Sequence, residues 1–306
     1  MATVFVCACE RRRERALEIN YVSAPRAILR DQLAQLYHKV GVLRNGERVE
    51  VLDRERHFAK VRLENGQVGW VEQRFLVNEK VFDAFESMAR EEQGAPVVGT
   101  ASTRRDTNLH VQPGRDTEHL YQLAEGARVS ILRRQTAEKN LPGLPPLVPE
   151  GGGKIVKPVE DWWLVRDSRN HVGWVLGRMI DLDVPPDIAQ YAEGQRIVAW
   201  FVLNEVADGD KRVPQYLMLL TGPKDGLPFD FNQARVFTWN VKRRRYETAY
   251  REHNLNGVLP ASVSHEVFGE QGDLPTFTLR VSDKSGNVVE RRYKFNAPVV
   301  RKVNLE

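Results

Sequence analysis

The chain has 306 residues, 42 % of them hydrophobic and 28 % charged, which excludes a largely disordered chain and suggests two or three domains. Its 45 Lys and Arg against 41 Asp and Glu leave a net charge of +4, too small to indicate a nucleic-acid partner. No apolar run approaches the roughly 18 residues that cross a bilayer, and with only two cysteines, Cys7 and Cys9, disulfides do not hold the fold.

The first element in chain order is a short apolar run followed by an arginine-rich one. Within it, Val6-Cys7-Ala8-Cys9 resembles the lipobox of bacterial lipoproteins, where the cysteine is lipidated and becomes the first mature residue. The resemblance implies lipid attachment at Cys9, a tether that ends at residue 20, and a true start codon upstream, because the basic region and half of the apolar run of an export signal are missing. Two alternatives stay open: a disordered start whose cysteines are incidental, and a Cys-X-Cys metal site, for which no other cysteine or nearby histidine completes the four ligands.

Residues 21–182 contain two copies of one pattern of short strands. The first copy closes with Gly66-Gln67-Val68-Gly69-Trp70-Val71 and the second with Asn170-His171-Val172-Gly173-Trp174-Val175. Upstream, each copy alternates apolar and polar residues with period two between Gly, Asn and Asp. This alternation predicts a small antiparallel barrel with one solvent-exposed face.

The repeated Gly-Trp-Val hairpin, together with the opening segments Ala27–Asp31 and Asn108–Gly114, resembles the bacterial SH3-like family. The resemblance implies two tandem SH3-like barrels, at residues 21–78 and 98–182, which recognise cell-wall peptide or a protein partner in the envelope. It also implies that Trp162 holds the aromatic position that the family uses, with Phe58 in its place in the first copy.

Two segments fall outside the barrel pattern. Residues 79–97 carry apolar side chains at helical spacing, from Val81 to Ala89, and predict a short linker helix that packs on the first barrel. The second copy is longer than the first by an insertion at residues 135–158, which contains several Gly and Pro and predicts a flexible loop.

Residues 183–306 form the last predicted domain. Strand-like alternation recurs from Gln195 to Phe295 and no helix of normal length interrupts it, so we expect an antiparallel sheet curled into a barrel or small sandwich. The predicted fold class is therefore all-β, with two small barrels, a short linker helix and a C-terminal β domain.

Aromatic and histidine residues of the barrels are the candidate ligand contacts. Trp162 and Trp163 are adjacent in a strand and point to opposite faces, so we expect one to be buried and the other to stack on a sugar or peptide. The alignment favours Trp162, which corresponds to Phe58. His57 and His171 fall near a turn and a strand edge, where they could contact a ligand or simply lie at the surface.

The densest positive charge lies at Lys242, Arg243, Arg244 and Arg245, between two strands that carry Trp and Tyr. One hypothesis is a basic hairpin that contacts a polyanion or an anionic lipid. The simpler interpretation, which we favour, is a solvated hairpin tip flanked by aromatic cross-strand pairs.

The sequence contains no Gly-X-Ser-X-Gly elbow, no paired histidines at zinc-binding spacing and no cysteine within a predicted domain. We therefore expect no cofactor and no metal. The chain is interpreted as a non-catalytic binding or scaffold protein of the cell envelope or periplasm, with a lipid anchor, or as a cytoplasmic one if no upstream signal exists. Two alternatives stay open: an assembly module with only protein partners, and an enzyme whose site lies in the C-terminal β domain.

Overall fold

The structure is a computed structural model that describes residues 14–139 and 157–303. Cys9 with the lipobox, and residues 140–156 of the predicted insertion, lie outside the described residues. Within them the chain is all-β, as the sequence predicts, with antiparallel sheets and two short helices. Neither helix has the length and apolar character of a membrane span. The chain divides into two compact units: the first ends at Ala84 and includes His119–Gln122, and the second holds Phe85–Glu118 and the residues from Leu123 onward.

Seven antiparallel strands form the first sheet, in the order β3-β2-β6-β5-β4-β1-β7. The strands are β1 (Glu18–Val22), β2 (Arg26–Arg30), β3 (Lys39–Arg44), β4 (Arg48–Glu55), β5 (Phe58–Leu63), β6 (Val68–Glu72) and β7 (Leu76–Asn78). Side chains that alternate inward from them meet in one aliphatic core, as period-two patterning requires. Its fully buried members include Leu29, Leu43, Val49, Val51, Ala59, Val61 and Val71.

The glycine of the Gly-Trp-Val hairpin is required by a close approach of two strands. A Cβ on Gly69 would lie 2.6 Å from Cγ of Leu29 and 2.7 Å from the carbonyl oxygen of Arg30, so only glycine lets β6 lie this close to β2. A Cβ on Gly173 would lie 2.7 Å from Cβ of Leu109. The repeated motif therefore marks the same strand contact in both sheets.

The second sheet contains the strand run β9-β13-β12-β11-β8-β14, which matches the run β2-β6-β5-β4-β1-β7 of the first sheet strand for strand. The elements of this segment are β8 (Gly99–Thr103), β9 (Thr107–His110), β10 (His119–Leu123), β11 (Arg128–Glu138), β12 (Val159–Arg166), β13 (Val172–Leu176) and β14 (Ile180–Leu182). The β11–β12 pairing continues from Gln135↔Trp162 to Glu138↔Val159. The sequence predicts a loop at residues 135–138, but the structure places them in a strand. They extend the pairing between β11 and β12.

The predicted linker helix is α1 (Glu79–Glu91). In the first unit, Phe82 stacks on Tyr21 with the ring centroids 4.0 Å apart. In the second unit, Met88 and Ala89 pack against a buried hydrophobic cluster of the second sheet. The prediction that this helix packs on the first barrel is therefore incomplete, because the apolar residues of its last turns belong to the other unit.

The C-terminal segment begins with α2 (Pro186–Ala189) and continues as two four-stranded antiparallel sheets, β15-β16-β17-β18 and β19-β20-β21-β22. The strands are β15 (Arg196–Asp208), β16 (Lys211–Thr221), β17 (Gln233–Asn240), β18 (Arg245–Glu252), β19 (Gly257–Val267), β20 (Asp273–Ser282), β21 (Val288–Asn296) and β22 (Val299–Val303). Glu252 joins the two sheets, since its carboxylate accepts hydrogen bonds from Tyr293 Oη at 2.7 Å and Lys302 Nζ at 3.0 Å.

Candidate ligand-binding surface

Outward side chains of β2, β5 and β6 form one accessible face on the first barrel, which we call the open face: Arg30, Phe58, Lys60, Trp70 and Glu72. Strand pairing places Arg30 and Lys60 on either side of Trp70, and Phe58 beside Glu72. The residues between them along each strand point into the core. All five are half-buried, so rings and charges share a surface that a ligand can reach.

Arg30 lies on one side of the open face, next to Trp70, and is close to two further rings. Its guanidinium carbon lies 4.3 Å from the ring centroid of Tyr37 and 5.0 Å from that of Phe58, so cation–π attraction holds it between two rings. Among the described residues, the Arg30 side chain forms one hydrogen bond, which is long: Nη2 donates to Oε1 of Glu72 at 3.4 Å. Because a guanidinium has five N–H donors, most of them are available to an acidic ligand.

The loop from Asp31 to His38 carries Tyr37 to this position. Its ends are joined because Oδ1 of Asp31 accepts the backbone N–H of His38 at 2.8 Å, while Oδ2 lies 3.1 Å from Nδ1 of the same residue. The backbone hydrogen bond from His38 holds the pKa of Asp31 below its ordinary value. Leu36, next to Tyr37 in the chain, is 87 % exposed and presents apolar surface that a partner can cover.

The corresponding face of the second sheet is covered. The same strand positions hold His110, Trp162, Leu164, Trp174 and Leu176, as shown by the pairings of β9 and β12 with β13. Both tryptophans are buried, and Trp162 is only 2 % exposed. Small and apolar side chains from helix α1 and neighbouring segments pack against this cluster: Met88, Ala89, Ala95 and Ala137. We call it the covered face.

The predicted ligand contact at Trp162 is therefore corrected. The alignment places Trp162 and Phe58 at corresponding strand positions, but a side chain that is 2 % exposed has no surface for stacking on a ligand. The sequence carries a signal of this burial: Trp162 to Val165 are four consecutive apolar residues, where a solvent-exposed face would alternate. Trp163, on the opposite side of the strand, is half-buried.

The two predicted histidines lie in turns. His57 is exposed between β4 and β5, and its carbonyl accepts the backbone N–H of Gln73 at 2.8 Å. Nδ1 of His171 lies 3.0 Å from Oδ2 of Asp167, and the His171 backbone N–H donates to Oδ1 at 2.8 Å. Burial alone would raise the pKa of Asp167, but these hydrogen bonds lower it below its ordinary value. His171 is thus engaged within its own turn, whereas His57 adjoins the open face through Phe58.

The basic run Lys242–Arg245 forms an exposed hairpin tip between β17 and β18. Arg243 Nη1 lies 3.1 Å, and Arg245 Nη2 3.3 Å, from Oε1 of Glu247, so part of the positive charge is paired locally. Across the strands, Trp239 meets Tyr246 edge-on at 5.1 Å. This geometry favours the solvated hairpin over a polyanion site.

No group of three or more His, Cys, Asp or Glu side chains in residues 14–139 and 157–303 could hold a metal ion. The open face, with its rings and its available guanidinium donors, is the strongest candidate for ligand recognition.

Comparisons with known proteins assign a family to part of the chain. Residues 27–77 match the family model of the bacterial SH3 domain, and no family model matches the rest. No curated protein matches the sequence.

Two solved structures from Trichomonas vaginalis are similar over most of their length. NlpC2 covers 95 % of this chain and 96 % of its own at 12 % identity with a TM-score of 0.19. NlpC1 covers 93 % and 90 % at 10 % identity with a TM-score of 0.19. Likeness at this level carries no argument about fold or activity.

The open face extends along the chain from Arg30 to Glu72. It lies within residues 27–77, the part of the chain that matches the bacterial SH3 domain.

Proposed function

We propose that the protein is a non-catalytic binding or scaffold protein of the bacterial cell envelope, and that the open face of its first barrel binds cell-wall peptide. The bacterial SH3 match at residues 27–77 supports a binding role. The observation that carries the proposal is Arg30, held between Tyr37 and Phe58 on an accessible face. In the same proposal a lipid on Cys9 holds the chain at a membrane, as the lipobox resemblance implies.

The chemistry of the open face suits a peptide that combines carboxylates with small apolar side chains, as cell-wall peptides do. Arg30 can donate two parallel N–H groups to a carboxylate, in place of its 3.4 Å contact to Glu72. The rings of Tyr37, Phe58 and Trp70 offer apolar surface to the rest of the ligand. Because the two rings already position Arg30, its side chain loses less conformational entropy on binding.

The substitution Phe58→Ala is expected to weaken binding to purified peptidoglycan sacculi about fivefold or more. It removes one of the two rings that position Arg30, a contact worth about 1 kcal/mol or more. Co-sedimentation of the full chain at low and at moderate salt measures the apparent Kd. Specific binding should survive the higher salt, whereas attraction between exposed charges is screened.

Phe268→Ala is the matched control for this experiment. Phe268 is also half-buried beneath a cation, with Lys294 Nζ 4.6 Å from its ring centroid, but it follows β19 in the C-terminal segment. The Phe268→Ala variant should bind sacculi as the wild type does. In the same assay, Arg244→Gln tests whether the basic hairpin contributes to binding. An equal loss in Phe58→Ala and Phe268→Ala, or binding that disappears with salt, contradicts the proposal. Release of soluble wall fragments by the pure protein would support the enzyme alternative instead.

A further inference from the structure

The second unit contains a cleft of about 420 Å³ that the proposed function does not use. The cleft is lined by strand β14, by the start of β15 and by Trp163. We call it the β14–β15 cleft. Much of the remaining wall is aliphatic and includes Leu182, Ile197 and Val198. A cleft of this size and lining suits a small ligand or a short peptide segment.

Both strands that line the cleft are edge strands. β14 is the last strand of the second sheet, where it pairs with β8, and β15 is the first strand of its own sheet, where it pairs with β16. Within the described sheets, each therefore has one side on which no neighbouring strand pairs with its backbone N–H and C=O groups. Exposed sheet edges bind extended peptides by adding a strand through main-chain hydrogen bonds. The cleft thus offers main-chain recognition of a peptide.

The charged groups of the cleft are four arginines and three aspartates, which leaves one positive charge in excess. Asp161 accepts hydrogen bonds from Arg134 Nη2 at 2.6 Å and from Arg196 Nη2 at 2.9 Å. A third arginine, Arg104, is paired with another aspartate.

The fourth arginine of the cleft, Arg178, is exposed and forms no salt bridge in the part of the chain that the structure describes. Burial alone would raise the pKa of Glu160, and the positive charge of Arg178 helps to lower it without a direct ion pair. Arg178 is therefore the cleft charge with which a ligand carboxylate can form a direct ion pair.

Thr221, one of the residues that line the cleft, has a buried hydroxyl with no hydrogen-bond partner among the described residues. The residue is 2 % exposed. A buried hydroxyl without a hydrogen bond costs free energy, so a polar ligand atom that reaches it is favoured. This observation is independent of the charge on Arg178.

We propose that the β14–β15 cleft binds a short extended peptide that carries a carboxylate. The peptide backbone forms main-chain hydrogen bonds with an edge strand, and the carboxylate forms an ion pair with Arg178. A polar atom of the peptide forms a hydrogen bond with Oγ1 of Thr221. Apolar parts of the peptide lie against Trp163. This activity goes beyond wall binding by the open face, and either proposal can fail without the other.

Three peptides test the site when titrated calorimetrically into the full chain. They are acetyl-Ala-Ala-Ala with a free C-terminal carboxylate, the same peptide as its amide, and acetyl-Ala-Glu-Ala-amide with a side-chain carboxylate. We expect at least one acidic peptide to bind about tenfold more tightly than the neutral amide, because charge-assisted hydrogen bonds are the stronger ones. The acidic peptide that binds better identifies the source of the carboxylate.

Two variants and a matched control locate the binding. All three peptides are titrated into a chain that carries Arg30→Gln, so that the open face no longer offers a guanidinium to their carboxylates. In that background Arg178→Gln should abolish the preference for acidic peptides, whereas Arg244→Gln, the same change of charge on the exposed hairpin, should preserve it. Thr221→Val keeps the side-chain shape, so it should weaken binding while thermal stability stays at least equal to that of the wild type. Equal affinity for the three peptides, no binding at millimolar concentration, or equal effects of the two arginine variants would overturn the proposal.

Discussion

Replacing Asp161 by alanine is expected to lower the free energy of unfolding by about 3–5 kcal/mol. Asp161 is 2 % exposed and accepts hydrogen bonds from Arg134 at 2.6 Å, from Arg196 at 2.9 Å and from the backbone N–H of Gly226 at 2.9 Å. The side chain of Arg134 is itself only 6 % exposed. Removing the carboxylate leaves this buried guanidinium with Asp230, at 3.2 Å, as its remaining ion-pair partner, and it also takes a partner from Arg196. The expected loss is large because Asp161 is the closest partner of Arg134 and the most buried of these carboxylates.

Urea unfolding at pH 7 measures this loss, and Asp225→Ala is its control. Asp225 also pairs with Arg196, at 2.9 Å, but its side chain is 44 % exposed. An exposed pair contributes about 0–1 kcal/mol, because solvent screens it. If Asp161→Ala costs no more than Asp225→Ala, the buried ion pair does not hold this region together and the account is contradicted.

The contribution of Asp161 should depend on pH in one direction. Burial alone would raise the pKa of Asp161, but hydrogen bonds from Arg134 and from the Gly226 backbone lower it below its ordinary value. A carboxyl group with a lowered folded-state pKa stabilises the protein above its unfolded-state pKa of about 4, and this contribution is lost as pH falls through the folded-state pKa. The difference in unfolding free energy between wild type and Asp161→Ala should therefore have its full value at pH 7 and should decrease as the pH falls below about 4.

Trp162→Ala is the second large expected effect, a loss of about 3–5 kcal/mol in unfolding free energy. The indole is buried in the covered face, where it shares a cluster with Leu164, Trp174 and Met88. Truncation leaves a cavity that these neighbours fill only in part. Because the loss arises from packing and not from a ligand, the folded variant should bind sacculi as the wild type does.

Phe58→Ala provides the comparison, since Phe58 holds the corresponding position on the open face. It is half-buried, so we expect a smaller loss of stability than for Trp162→Ala and a larger loss of binding. Thermal unfolding and co-sedimentation of both variants separate the two effects. A Trp162→Ala protein with unchanged stability and no affinity for sacculi would contradict the burial of Trp162 in the covered face. That result would support the prediction from the sequence that Trp162 contacts the ligand.

Local constraints made the barrels predictable from the sequence. Period-two alternation is visible within each short segment, and the repeated Gly-Trp-Val motif marks Gly69 and Gly173, although the residues that these glycines approach lie on distant strands. Which face stays open depends on where helix α1 packs, and that is a tertiary choice. The clearest local sign was the contrast between the uninterrupted apolar run from Trp162 and the alternating strand that carries Lys60.

Strand β19 shows a different limit of sequence reasoning. Pro260 lies inside it and lacks the N–H that a regular ladder needs, so the segment does not read as a strand. The structure accommodates the proline because the register shifts between Val258 and Ser262. The end of β11, at residues 135–138, differs from the predicted loop for a related reason, since the shorter first copy offers no template for these residues.

Hydrogen–deuterium exchange of the full chain, with and without soluble peptidoglycan fragments, tests the central claim most directly. It reports which backbone segments a ligand protects, and it needs no substitution. We expect added protection in residues 26–38 and 58–72, which carry the open face and the Tyr37 loop. Protection confined to residues 159–176, or none in the first barrel at saturating fragment, would contradict the account.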